Sequence, residues 1–408
     1  MTDRTAGGIG EFADLLSPSR RSDPYPGYAR LRDAAPIWEA APGFLVLSRH
    51  EDCGRVLRDL RFGHLEADDA PAPSRRRALT GDADREAVRS FLVRNPPDHT
   101  RLRRLVSRSF TPRRVEELAP RIEALTAELL SNVAGSPSFD VVSAIASPLP
   151  VAVICELFGV RDPDRHRVVG WSHALARGLD PAFLLTADER RSQLAARDEF
   201  ADYLVAEIAR RRRLPGDDLI SDLVATHDQG ESLTDADLVA TCILLLIAGH
   251  ETTTSLVANA VHAFLRHPAQ WEEVAADPEL VPGAVEEVLR FDSPVQLTMR
   301  VARADADVGG IPAPRGTFVV LLIGAANRDP LAYDEPDRFD VRRQPRPHLA
   351  FGQGVHFCLG APLARLEAQI VLRAILTGIA RPRLVGDPTW KENAVLRGLQ
   401  RLEIEVGM

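Results

Sequence analysis

One stretch limits the fold more than any other. From Thr234 to Arg266 the sequence keeps helical periodicity, opened by Thr234-x-x-Asp237 and closed by His267-Pro268. The opening is a capping-box variant with aspartate in place of glutamate. The closing proline disfavours helix in the residue before it. About 32 residues at ~1.5 Å each give a helix of ~48 Å, long enough to cross a domain of this size. Its middle is apolar on all sides, the mark of a helix buried all round. The rest of the chain must pack around it. Most other segments also read as amphipathic helices, so the expected class is mainly α with small β-sheets.

Inside that helix sits Ala248-Gly249-His250-Glu251-Thr252-Thr253-Thr254. Glycine there weakens a helix by ~1 kcal/mol relative to alanine. A buried carboxylate needs partners or a raised pKa. Local rules broken together in one place point to a functional site. Thr241, Leu244, Leu245, Ala248, Glu251 and Thr252 fall on or near one face by helical spacing. His250-Glu251 begins a zinc-binding HExxH pattern, but Thr254 stands where the second histidine belongs, so zinc is rejected. Backward bonding of threonine hydroxyls to carbonyls is expected for Thr253 or Thr254 and not for Thr252.

A second stretch carries chemistry: Phe351-Gly352-Gln353-Gly354-Val355-His356-Phe357-Cys358-Leu359-Gly360, followed by the helix-forming Ala361–Ala368. Proline at position 362 fits a first helical turn. Cys358 therefore lies at a helix N-terminus, where free N–H groups and the dipole favour thiolate over thiol. Gly352 and Gly354 can take positive φ and keep the loop close to whatever the sulfur binds. Gly360 leaves room for a flat partner. A sulfur-ligated metal or cofactor suits this loop. A nucleophilic cysteine beside His356 is a second reading, and a structural cysteine in a helix cap is a third. The structural reading leaves the ordered glycines, Phe351 and His356 unexplained.

The pattern Phe351-Gly352-x-Gly354-x-His356-x-Cys358-x-Gly360 resembles the haem-binding loop of the cytochrome P450 family, in its soluble, bacterial, actinobacterial-type form. The resemblance spans nearly the whole chain, with motifs in family order. It implies the P450 fold, one domain over residues 1–408 with 1–20 as a flexible tail. A long central helix would lie over haem b, held by the C-terminal cysteine loop. Cys358 becomes the iron ligand, a thiolate that pushes electron density towards O–O cleavage. Glu251 and Thr252 resemble the family's acid–alcohol pair that manages protons. Ala248 and Gly249 would let a flat cofactor and a diatomic ligand approach the backbone.

The same resemblance assigns further residues. His99 and Arg103 share one helix face by i, i+4 spacing and match a propionate-binding pair, joined by Arg300 and His356. Phe351, Gly352 and Gly360 complete the cofactor set. Glu287 and Arg290 match ExxR, a buried ion pair with Arg338 as third member and a structural role. Leu92, Val93, Leu244, Ala248, Val295, Leu297 and Leu396 are expected to line the substrate pocket. The polar segment 63–84 is expected to be a mobile lid, and 168–185 the other half of the roof.

Charge and cysteines bound the partners. The net charge of −8 argues against nucleic acid. Cys53, Cys155, Cys242 and Cys358 show no CxxC spacing, as in a reduced cytoplasmic protein. Met1–Leu16 lacks a signal pattern. The apolar run 238–249 is short for a bilayer, which needs ~20 residues. Arg104, Arg108, Arg113 and Arg114 form a local basic patch suited to an acidic redox partner. Basic charge is otherwise nearly all arginine, with Lys391 the only lysine.

The expected function is insertion of one atom of O2 into a hydrophobic small molecule, as hydroxylation or epoxidation. Electrons would come from NAD(P)H through ferredoxin reductase and ferredoxin. Tailoring of macrolides or other polyketides in antibiotic biosynthesis is the expected setting, and a monomer the expected state. A peroxide-driven enzyme of the same fold and a non-catalytic haem sensor are the alternatives. Glu251-Thr252 counts against the first and buried Thr252 against the second.

Overall fold

The computed structural model describes residues 8–65, 90–108, 110–228, 234–344 and 346–407. The expected lid lies almost wholly outside these residues. The chain is mainly helical, with four small sheets among the described residues.

The N-terminal region holds α1 (Gly8–Leu15), α2 (Tyr25–Ala34), the hairpin β1 (Ile37–Ala41) and β2 (Phe44–Leu47), α3 (His50–Arg58) and β3 (Phe62–Gly63). Within the stretch expected as a tail, α1 seats Phe12 in the core and is followed by buried Leu16. Pro42-Gly43 turns the hairpin as the sequence reading expects, with Gly43 at φ 70°.

A run of helices follows: α4 (Asp98–Ser107), α5 (Pro112–Glu116), α6 (Ala119–Val133), then β4 (Ser138–Asp140), α7 (Pro148–Leu157), α8 (Arg165–Arg177), α9 (Ala187–Arg213) and α10 (Leu219–Asp228). Residues 112–133 form two helices, with Pro120 in the first turn of the second. The segment 168–185, expected as the other half of the roof, begins within α8 and continues past its end at Arg177.

The central helix is α11 (Asp235–Arg266), 32 residues long. Both capping-box bonds form: Asp237 N–H donates to Thr234 Oγ1 at 3.0 Å, and Thr234 N–H to Asp237 Oδ2 at 3.2 Å. By length and composition this helix could cross a membrane, but 67% of its most apolar window is buried inside the protein. It joins two hydrophobic cores. Leu238, Cys242, Leu245 and Leu246 pack with Trp171, Phe200 and Leu223 from α8, α9 and α10. Leu256, Val257, Val261 and Phe264 pack in the second core. The polar segment 248–255 falls at the junction, where neither core covers it completely.

Beyond α11 lie α12 (Pro268–Ala276), α13 (Val281–Phe291), β5 (Thr298–Ala302), β6 (Ala306–Val308), β7 (Ile311–Ala313), β8 (Phe318–Leu321), α14 (Ile323–Ala326) and α15 (Ala361–Gly378). Val288 of α13 and Val371 and Ile375 of α15 complete the second core. The main sheet runs β1-β2-β8-β5-β3, parallel only between β2 and β8. Gly309-Gly310 turns β6 into β7. Short strands β9 (Arg383–Leu384), β10 (Thr389–Trp390), β11 (Leu399–Arg401) and β12 (Glu403–Glu405) close the chain.

Candidate functional site

The cysteine loop folds on itself. Gly352 and Gly354 take φ of 67° and 71°, a region open to glycine. Cys358 N–H donates to the Phe351 carbonyl at 2.9 Å, and Gly352 N–H to the Leu349 carbonyl at 2.8 Å. The sulfur then sits beside the start of α15, with the N–H groups of Gly360 and Ala361 directed at it. A Cβ on Gly360 meets nothing within 4 Å, so space is open there. Gly354 has another role than expected: a side chain there would strike the backbone of Leu57, so its closeness serves the packing of α3. The Arg365 guanidinium stacks 4.6 Å from the Phe351 ring centroid and is held by Glu286 at 2.7 Å.

The expected preference for thiolate needs correction. Burial pushes the Cys358 thiol up, and the N–H groups and the Arg103 charge offset this only in part. The chain alone keeps the sulfur protonated; a coordinated metal cation removes that proton outright.

Four basic groups converge near the loop. His99 and Arg103 come from α4, Arg300 from β5, and His356 from the loop. The rings of His99 and His356 are 4.1 Å apart. Burial and the charges of Arg103 and Arg300 push His99 down to about 4. Burial, Arg300, His99 and Arg103 push His356 to about 3. Burial lowers Arg300 to about 10. Arg300 is 5% exposed, and its Nη1 donates only to Thr298 Oγ1 and the Met299 carbonyl.

Among the described residues, no carboxylate pairs with Arg103 or Arg300, and neither ring nitrogen of buried His99 has a partner. A buried cation, a half-buried one and an orphaned buried imidazole suit a ligand with negative charge. Haem, with two propionates, fits this donor set, and the Arg103 charge reaches Cys358. His64 adds a third ring, 4.7 Å from His356. The sequence reading missed it, since a lone histidine after a short strand carries no signal.

The central-helix motif divides differently from the expectation. Gly249 makes no room for a cofactor, because a Cβ there would lie 2.6 Å from Ile154 Cδ1. Its role is close packing of α7 on α11. Ala248 is exposed in the middle of this otherwise buried helix and does face open space. Thr252 is half-buried, and its Oγ1 donates to the Ala248 carbonyl at 2.9 Å, the backward bond not expected of it. Thr253 bonds to Gly249 at 3.2 Å, while Thr254 Oγ1 has no partner. The deep helix leaves a threonine hydroxyl little else to donate to.

Glu251 is buried, with His173 Nδ1 2.9 Å from Oε1 and Lys391 Nζ 2.9 Å from Oε2. Burial pushes this carboxyl up, but His173 and the Lys391 charge outweigh it and hold it well below the usual carboxylate range. Burial lowers the neighbouring His250, whose Nδ1 bonds to the Leu246 carbonyl at 2.7 Å. Sequence reasoning missed His173 and Lys391. The one available signal was a lone lysine in a chain that otherwise uses arginine.

The ExxR pair is buried as expected. Arg290 Nε and Nη2 meet Glu287 at 2.7 and 2.8 Å. The third member is Arg343 and not Arg338: Arg343 Nε lies 3.2 Å from Glu287. The Arg338 side chain is 58% exposed and turns to Glu335, contributing only its carbonyl to Arg290.

The pocket residues scatter. Leu92 is exposed at 39%, while Val93, Leu244 and Val295 are half-buried. Val295 bridges to Leu396, joining two segments far apart in sequence. Leu297 and Leu396, at 5% and 4% exposure, are filled in by packing and present almost no surface. Arg104, Arg108, Arg113 and Arg114 are exposed, with Arg113 paired to Glu117 and Arg114 to Asp222.

Comparison with known proteins places this geometry. The family described as "Cytochrome P450" matches residues 64–378. 6-Deoxyerythronolide B hydroxylase of Saccharopolyspora erythraea is 39% identical over 96% of this chain and 98% of its own. The cytochrome P450 monooxygenase PikC of Streptomyces venezuelae is 40% identical over 94% of this chain and 91% of its own. The crystal structure of ligand-free CYP164A2 from Mycobacterium smegmatis superposes with a TM-score of 0.90, at 44% identity, covering 97% of this chain and 99% of that one.

Proposed function

The chain belongs to the cytochrome P450 family of haem-thiolate monooxygenases, and from that premise we propose how its own residues serve the reaction and what it acts on. The bound group is haem b, iron protoporphyrin IX, held without covalent attachment. Haem iron supplies O2 activation, so that one oxygen atom enters the substrate and the other leaves as water. Cys358 would hold the iron through its sulfur, His99, Arg103, Arg300 and His356 would hold the propionates, and Gly360 and Ala248 would leave room for the ring.

Glu251 and Thr252 handle protons. Thr252 Oγ1 keeps its own proton on the Ala248 carbonyl and so presents its lone pairs to the open face. Glu251 is the acid that returns protons to that face. A mobile acid with a path to solvent is worth ~10²–10⁴ in rate.

The substrate class is a macrolactone or other polyketide, hydroxylated in antibiotic tailoring. The relatives 6-deoxyerythronolide B hydroxylase and PikC support this. Electrons come from NAD(P)H through a ferredoxin reductase and a ferredoxin that docks on the arginine patch, and the protein works in the cytoplasm as a monomer. Residues 1–408 act as one catalytic unit.

The observation that carries the reading is the basic cluster beside Cys358, which has no acid among the described residues. The test is turnover of a macrolactone panel with NAD(P)H and surrogate ferredoxin partners, read by mass spectrometry. Gain of one oxygen atom by a panel member supports the substrate class. A haem spin-state response to fatty acids or terpenes, with none to macrolactones, contradicts it.

A further inference from the structure

Glu251 is buried but not sealed. Its side chain is 4% exposed, while that of His173 beside it is 54% exposed. Three elements meet at this carboxylate: α8 through His173, α11 through Glu251 itself and neighbouring His250, and the segment after α15 through Lys391. The α8 end and that segment are fastened together. Asn393 Nδ2 donates to the Ala176 carbonyl at 3.0 Å, and the N–H groups of Ala394 and Val395 donate to Asp180 at 2.8 Å.

The choice of lysine matters. It is the one lysine among 50 basic residues, and it stands at a buried acid. Arginine binds a carboxylate with a two-pronged fork that takes both oxygens; an ammonium is a point charge that takes one. Lys391 takes Oε2. That leaves Oε1 with no aligned donor, close to His173 but off its N–H axis. His250 Nε2 stands 3.6 Å from Oε1 and has no proton to give while Nδ1–H is bonded to Leu246. Among the described residues, the ring that touches both Oε1 and bulk water is that of His173.

We propose that His173 is the proton entry to Glu251, and that Lys391 is the positioning residue that keeps one carboxylate oxygen open to it. This rests on the reading of Glu251 as the acid of the reaction. A proton from water binds His173 Nε2. The Nδ1 proton then passes to Glu251 Oε1, leaving a neutral ring protonated on Nε2 and a neutral carboxylic acid. The ring resets when Nε2 releases its proton to water and Nδ1 takes one up, which restores the starting tautomer. The titratable groups set against Glu251 among the described residues are His173, His250 and Lys391.

The test uses the haem-loaded protein and its His173→Ala, Lys391→Met, Lys391→Arg and Glu251→Gln variants. Infrared difference spectra first locate the carboxylate bands that Glu251→Gln removes, and the loss of those bands as the pH falls gives the protonation midpoint without turnover. Loss of one adjacent cation in Lys391→Met raises the midpoint by at least ~1 pH unit, and Lys391→Arg does not. Product formed per NAD(P)H oxidised is then measured against pH in water and deuterated water. His173→Ala lowers this coupling roughly 10-fold or more and changes the solvent isotope effect. Lys391→Arg, whose fork also covers Oε1, lowers coupling although its charge is kept.

If His173→Ala keeps wild-type coupling at every pH while Glu251→Gln loses it, the proposal is overturned and the reading of Glu251 stands. If Glu251→Gln itself couples like wild type, that reading goes and the proposal with it. An unchanged midpoint in Lys391→Met overturns the role given to lysine.

Discussion

Two polar clusters adjoin the cysteine loop, and they differ in charge balance. In the first, Glu287 faces Arg290 and Arg343. Arg290 spends its remaining N–H groups on the carbonyls of Asn327, Pro336 and Arg338. Asn327 Oδ1 in turn accepts from Leu349 N–H at the loop's start. Every charge there has a partner within the chain. In the second, Arg103 and Arg300 stand with His99 and His356 and, among the described residues, have no acid. The first cluster is complete and holds structure. The second is complete only when an anionic ligand arrives.

Breaking each cluster should therefore have opposite consequences for the haem-free chain. Arg290→Ala strands Glu287 without its main partner and costs roughly 3–5 kcal/mol. Urea unfolding of haem-free protein should show it, and haem incorporation should fail as well. Arg300→Met removes an unpaired buried cation, so the haem-free protein should be as stable as wild type or more so. The same variant should bind haem roughly 10- to 100-fold more weakly, the loss of a charge-assisted hydrogen bond of ~1.5–3 kcal/mol. A haem-free Arg300→Met protein clearly less stable than wild type would erase the contrast.

Glu367 on α15 sharpens it. It is 1% exposed, and burial alone raises its carboxyl to about 8. The unfolded chain ionises this group above about 4.3, whereas the folded chain keeps it protonated. Its cost is therefore absent at acid pH, grows as pH rises from about 4.3, and levels off above about 8. Glu367→Gln should stabilise the protein at neutral pH by an amount on the order of 1 kcal/mol or more and remove this slope. Denaturant titrations at several pH values measure it.

The smallest effect separates two arginines. Arg343→Ala should cost about 1 kcal/mol or more, because it removes a partner of a buried acid. Arg338→Ala, an exposed surface pair, should cost under ~0.5 kcal/mol. The reverse order would restore Arg338 as the third member.

Much of this was legible in the chain because the physics is local. The capping box at Thr234, the stop at His267-Pro268 and the glycines before Cys358 act on their own backbone. The i, i+3 pair Glu287–Arg290 and the i, i+4 pair His99–Arg103 need only one helix. What was not legible depends on neighbours distant in sequence. Arg338 and Arg343 differ only in which way the chain turns after Pro336. Gly249 reads as room for a ligand until Ile154 fills the space. Cys358 reads as a thiolate from the helix end, but burial decides against it. His173, Lys391 and Glu251 come from three elements that no spacing relates.

The central claim is that Cys358 sulfur is the ligand that turns this basic site into a monooxygenase centre. The reduced carbon-monoxide spectrum of haem-reconstituted protein, wild type beside Cys358→Ser, tests it most directly. Wild type should absorb where thiolate-ligated haem absorbs, and Cys358→Ser should lose that band and oxygenation with it. A wild-type spectrum of imidazole-ligated haem, or an unaltered band in Cys358→Ser, would contradict it.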